Sequence, residues 1–114
     1  MNLNKSLEFF DPLTVTAPIH IIGLGAIGSN LVDLFARLGL TNLHLYDFDD
    51  VTAHNIANQR YTAMDISQSK TQCMYSMCKA INAQCKPVLH SRGWEPGTRL
   101  NGHVFMAVDS IELR

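Results

Sequence analysis

The sequence predicts an α/β fold, a mostly parallel sheet flanked by helices, and three observations carry that prediction. An apolar run, Ile19-His20-Ile21-Ile22, leads directly into Gly23-Leu24-Gly25-Ala26-Ile27-Gly28, and apolar residues at helical spacing follow. A second apolar run, Leu43-His44-Leu45-Tyr46, comes after Gly39 and ends in Asp47. A third, His103 to Val108, is apolar enough for the middle of a parallel sheet and delivers Asp109 at its carboxyl end. Strand, glycine turn, helix, then a strand closed by an acid is the first half of a nucleotide-binding βαβ unit.

Taken in order, residues 1–17 form an N-terminal segment in which Leu7, Phe9 and Phe10 could dock on the domain and Asp11-Pro12 marks a turn. The helix after the glycines places Ile27, Leu31, Leu34, Phe35 and Leu38 on one face, and Gly39 closes it. Thr52 to Tyr61 is too rich in polar side chains for a core strand. Val51, Ile56, Ala57 and Tyr61 should pin it as a loop at the carboxyl end of the second strand, where open α/β sheets bind ligands. Asp65-Ile66-Ser67-Gln68 resembles a capping box and announces a helix running to about Gln84. Lys70 falls on the line of Met74 and Met77, an interior-facing position where a lysine either snorkels or meets an anion. Lys86 to Ser91 is a third strand with Pro87 near its start, and Arg92 to Gly102 a loop in which Trp94 is a packing anchor. Ser110 to Arg114 starts a further helix. Of the histidines, only His54 lies in the suspected site loop.

Composition narrows the function. With 114 residues and 46% hydrophobic content the chain is one domain with one core. A net charge of −1 without a basic stripe argues against a nucleic-acid partner or an acidic membrane surface. No run reaches the roughly 18 apolar residues that span a bilayer, and Met1 to Lys5 leads into no apolar segment, so a cytoplasmic chain is expected. Cys73, Cys78 and Cys85 lack C-x-x-C spacing and share a helical stretch with Met74, Met77 and Ile81, which reads as buried thiols rather than a zinc site or disulfide framework. The glycines carry the chemistry: Gly23 permits the tight turn, Gly25 lets the backbone approach a phosphate, and Gly28 brings the helix close to the strand. The amides at the helix N-terminus then face the anion.

Gly23-Leu24-Gly25-Ala26-Ile27-Gly28-Ser29, Tyr46-Asp47-Phe48-Asp49-Asp50-Val51, Asn55-Ile56-Ala57-Asn58-Gln59, Lys70 and Val108-Asp109-Ser110 together resemble the ThiF/MoeB/HesA family, Rossmann-like adenylyltransferases related to ubiquitin-activating enzymes. The match runs from about residue 18 to the end. The resemblance implies use of ATP and magnesium to adenylate the C-terminal carboxylate of a ubiquitin-like or sulfur-carrier protein, and it implies a homo-oligomer. It implies that Gly23, Gly25, Ala26 and Gly28 approach the nucleotide, that Asp47 holds the ribose, and that Asn55, Asn58 and Gln59 line the phosphates. Lys70 would neutralise the phosphates and Asp109 would hold magnesium, with Asp47 and Asp49 as rivals for the metal. The family commonly has arginine where this chain has Asn58, so Arg60 would have to replace it. Relatives also continue well beyond Asp109, which makes residues 18–114 an apparently truncated, incomplete ATP-binding domain in this reading. Two alternatives stand beside it: an interaction module of the same fold that turns nothing over, and an NAD-binding Rossmann domain.

Overall fold

A computed structural model describes residues 17–95 and 97–108. The expected N-terminal docking segment, the helix start after Ser110 and Asp109 itself lie outside these residues. The described chain contains four strands, β1 (Ile19–Ile22), β2 (Leu43–Tyr46), β3 (Val88–His90) and β4 (His103–Met106), and two helices, α1 (Ala26–Arg37) and α2 (Lys70–Ile81). Short 3-10 turns occupy Ala53–Ile56 and Ala63–Asp65. All strand pairs are parallel and the order is β3-β2-β1-β4, so the chain reverses direction across the sheet between β1 and β4. That is the Rossmann-like arrangement, with its switch point at the carboxyl ends of β1 and β4.

Strand alternation sorts the sheet into two faces. Ile19, Ile21, Leu43 and Leu45 pack with Val32 and Ala36 of α1 and Met74 and Cys78 of α2, so both helices cover one face. His20, Tyr46 and His90 point the other way, and the connection after β3 closes over them.

The helices differ in detail from the sequence expectation. α1 turns its small residues to the sheet: Gly28, Ser29, Val32, Asp33 and Ala36 are buried, while Ile27 and Leu34 are exposed. Small side chains let the helix axis approach the strands, and the bulkier Leu31 and Phe35 pack at its flanks. Gly39 does end α1, with its N–H bonded to the Ala36 carbonyl and that of Leu40 to the Phe35 carbonyl, a Schellman pair. α2 begins later and ends earlier than expected. Ser69, whose side chain accepts from the Gln72 N–H, is its N-cap. Asp65 instead accepts from the Thr62 N–H at 2.7 Å and hydroxyl at 3.2 Å, and Ser67 at φ 74 breaks any helix joining the two segments.

Two other expectations are corrected. Of the four anchors proposed for the 52–61 loop, Val51 and Tyr61 are buried, but Ile56 and Ala57 are exposed. In the described sheet β4 pairs with β1 alone and forms an edge, leaving Val104, Phe105 and Met106 partly exposed rather than central.

Candidate functional site

The glycine turn sits at the switch point. Gly23 has φ +94, and a Cβ there would lie 2.7 Å from Val108 Cγ1, so only glycine meets both the backbone shape and the contact with the end of β4. A Cβ at Gly28 would overlap the Gly23 carbonyl oxygen, which is how α1 comes so close to the turn. Gly25 is the N-cap of α1 and Ala26 its first residue; no side chain caps the helix and no acid occupies its first turn. The first amides of α1 are thus available to an external anion, and the helix dipole favours one.

Asp47, Tyr61 and Lys70 are joined to this turn through one network. Asp47 accepts the Leu24 N–H on Oδ2 and the Asp49 N–H on Oδ1, both at 2.8 Å, which aims its carboxylate along the mouth of the turn. The Tyr61 hydroxyl donates to the Leu24 carbonyl at 2.7 Å. Burial, reinforced by the charge of Asp47, raises the ionisation of Tyr61 far above its ordinary range, so it remains a donor. Lys70 is buried, with its Nζ 5.8 Å from the centre of the Tyr61 ring, a weak cation–π distance. Among the described residues no carboxylate forms an ion pair with it. Its position is set by the backbone. The Lys70 N–H donates to the Asp49 carbonyl, the Val51 N–H to Gln68, the Ser67 N–H to Val51, and Asp50 and Ser69 form an antiparallel bridge. This clasp ties the start of the long loop to the start of α2. Asp49 itself is exposed.

The loop supplies the remaining candidates unevenly. Asn55 turns inward on its own backbone, accepting the Thr52 N–H at 2.8 Å. Asn58 is exposed, and its carbonyl receives Asn30 Nδ2 at 3.4 Å. Gln59 reaches the glycine turn: its Nε2 lies 3.7 Å from where a Cβ of Gly25 would be, and its Oε1 is buried without a hydrogen-bond partner. A buried carboxamide oxygen without a partner beside a side-chain-free turn fits a ligand that brings a hydrogen-bond donor there. Arg60 points elsewhere, its Nε donating to Asn30 Oδ1 at 2.6 Å and lying 3.3 Å from Asp33 Oδ2 on α1. Among the described residues no three His, Cys, Asp or Glu side chains group closely enough to hold a metal ion. No described helix is long and apolar enough to cross a membrane.

The cysteines behave as packing groups. Cys78 and Cys85 are fully buried, and burial together with the Asp65 carboxylate pushes the Cys73 thiol up to about 11, the opposite of nucleophile activation. Sequence reasoning missed the opposite sheet face. There the Tyr46 hydroxyl and His20 Nδ1 are 2.7 Å apart, His20 Nε2 bonds the Asn101 carbonyl at 2.9 Å, and His44 and His90 approach to 3.2 Å, beside a cavity of about 500 Å³ that Trp94 and Leu100 help to line. Because an N–H must serve the carbonyl, His20 Nδ1 is the acceptor of the Tyr46 proton. The signal was one histidine within each of the three apolar runs, His20, His44 and His90.

The chain is similar to known proteins. A Haemophilus influenzae tRNA threonylcarbamoyladenosine dehydratase is 41% identical over 71 residues, covering 60% of this chain and 27% of the relative. The Drosophila melanogaster Nedd8-activating enzyme E1 catalytic subunit is 31% identical over 88 residues, covering 76% of this chain and 19% of the relative. The chain thus spans less than a third of either. Among solved structures, that of the E. coli tRNA N6-threonylcarbamoyladenosine dehydratase TcdA in complex with ATP superposes with a TM-score of 0.76 and 26% identity over 93% of this chain and 45% of that one. The model of the ThiF family matches residues 14–113, and with the glycine turn, Asp47, Gln59 and Lys70 assembled at one switch point, the chain belongs to the ThiF family.

Proposed function

We propose that this chain is the nucleotide-binding part of an ATP-dependent adenylyltransferase. The observation that carries the reading is Lys70, a buried ammonium without a carboxylate partner among the described residues, linked through Tyr61 to the turn that Asp47 also holds. Such a cation is poised for phosphates. In the proposed reaction an oxygen of the substrate carboxylate attacks the α-phosphorus, the bond to the β-phosphate oxygen breaks, and pyrophosphate leaves. The first amides of α1 and Lys70 would offset the negative charge gathered on the phosphates, Asp47 would orient the ribose, and the Gln59 carboxamide would meet the nucleotide over Gly25. Magnesium, held by Asp109, would supply further charge neutralisation when bound.

The substrate is proposed as a carboxylate, with a ubiquitin-like or sulfur-carrier tail as first candidate. Relatives named for tRNA make a carboxylate on a modified nucleoside the other class to assay. Self-association of the chain is part of the proposal and is checked by light scattering. The test of the core reading is Lys70→Met, which keeps the aliphatic stem. ATP affinity should fall roughly tenfold or more, as expected for a charge-assisted contact of about 1.5 to 3 kcal/mol, with little change in melting temperature. Unchanged ATP affinity, or tighter binding of NAD than of ATP by the parent chain, would reject the reading. A second reading, nucleotide binding without turnover, is favoured by the placement of Arg60 on Asp33, which leaves the loop short of one cation. Pyrophosphate exchange separates the two.

A further inference from the structure

Arg60 is attached to α1 at three successive levels. Its N–H donates to Ser29 Oγ at 3.1 Å, its Nε donates to Asn30 Oδ1 at 2.6 Å, and the same Nε lies 3.3 Å from Asp33 Oδ2. Ser29, Asn30 and Asp33 descend the helix, so the side chain runs away from Gly25 and Ala26, where the first amides of α1 are available. Asp33 is buried and sits between two guanidiniums, Arg37 Nε at 2.7 Å and Arg60. A shielded carboxylate of this kind holds its partners more firmly than a surface pair does. Asn30 completes the attachment, its Nδ2 donating to the Ala26 carbonyl and reaching the Asn58 carbonyl at 3.4 Å. Gln59, whose own N–H donates to the Asn55 carbonyl at 3.1 Å, therefore lies between two neighbours tied to α1, in a loop whose residues 57 and 58 are exposed.

We propose that Arg60 is a positioning residue: its clamp on Asp33 and Asn30 holds the Gln59 carboxamide over the glycine turn. Without the clamp the 53–61 segment joins the parts of the fold that open easily, and Gln59 leaves the turn. Arg60 is then not the replacement for an arginine at position 58. The functional readout rests on the nucleotide reading above, whereas the clamp itself does not.

The experiment compares Arg60→Ala, Asp33→Asn and their double variant with the parent chain, and uses Arg37→Ala as the control. ATP and AMP affinities are measured by calorimetry, and amide exchange over residues 53–61 is measured without nucleotide. Asp33 lies about two turns down α1 and cannot touch a nucleotide in the turn. The expected result is that both single variants weaken ATP and AMP alike, by about fivefold, which is about 1 kcal/mol. The double variant should be no weaker than either single one, as for residues acting through one contact. Exchange over 57–60 should rise about tenfold in all three and little in the control. Loss of ATP but not AMP affinity in Arg60→Ala, with Asp33→Asn unaffected, would overturn the clamp in favour of a direct phosphate contact. If the parent chain binds neither nucleotide, the nucleotide reading fails and exchange alone decides. Unaltered exchange in Arg60→Ala and Asp33→Asn would overturn the clamp.

Discussion

The two faces of the sheet are built from alternate residues of the same strands and obey different physics. On the helix side Ile21 and Leu45 are completely buried, with Ile19 and Leu43 nearly so, and α1 and α2 seal them. Burial of that kind is insensitive to proton concentration. On the other side the strands present rings that bond one another, with the Tyr46 and His90 planes parallel within 4° and His20 and His44 centroids 4.6 Å apart. No described helix covers them. Order there depends on hydrogen bonds and on His44 and His90 remaining neutral, so one face sets how stable the domain is and the other sets the conditions under which it is stable.

The contrast can be broken by experiment. Leu45→Ala should cost about 2 to 5 kcal/mol, the range for emptying a sealed core site, and calorimetry or denaturant titration would show it. Tyr46→Phe removes only the bond to His20 and should cost about 1 kcal/mol. A Tyr46→Phe loss as large as that of Leu45→Ala would mean the ring face carries comparable weight. The smallest effect is acid sensitivity. Burial, then the neighbouring imidazoles, holds His44 and His90 below their ordinary value of 6.5. Unfolded chains take up protons near 6.5 and the folded chain does so only lower, so the contribution is complete above that pH and is lost as pH falls below it. The melting temperature should therefore drop from pH 7 to pH 5, and the paired substitution His44→Phe with His90→Phe should flatten that dependence. A profile as steep as that of the parent chain would move the titration elsewhere.

Much of the helix side was legible because its signals are local. Gly23 and Gly28 announce a turn and a close approach whatever surrounds them, and Asp47 ends a strand that alternates plainly. Lys70 was found because a charge at an interior position of a helix stands out in periodicity. What escaped depended on partners distant in sequence. The burial of Val32 and Ala36 instead of Ile27 and Leu34 follows from the approach that Gly28 permits. The start of α2 is decided by Ser67 and by the backbone bonds from Asp49 and Val51, none visible in a capping pattern. The direction of Arg60 depends on Asp33, an acid on the buried side of α1 that the helical wheel of large apolar residues passed over. The histidine face escaped because three residues, one per strand, form no motif until the register sets them side by side.

The clasp at Asp49, Val51, Ser67 and Lys70 closes the long loop at its base. Chain closure of this sort makes the segment between the ties a side branch: its length enters the folding free energy only logarithmically, while the geometry at the ties stays the same. Residues near the tip, such as Met64 at 90% exposure, can lengthen, shorten or change character without displacing Lys70 relative to Asp47. The branch touches the glycine turn through Gln59 and Tyr61, so it is the stretch around Met64, and not the whole branch, whose variation is insulated from the turn. A lineage could remodel what that stretch touches while leaving the anion-facing end of the sheet as it is.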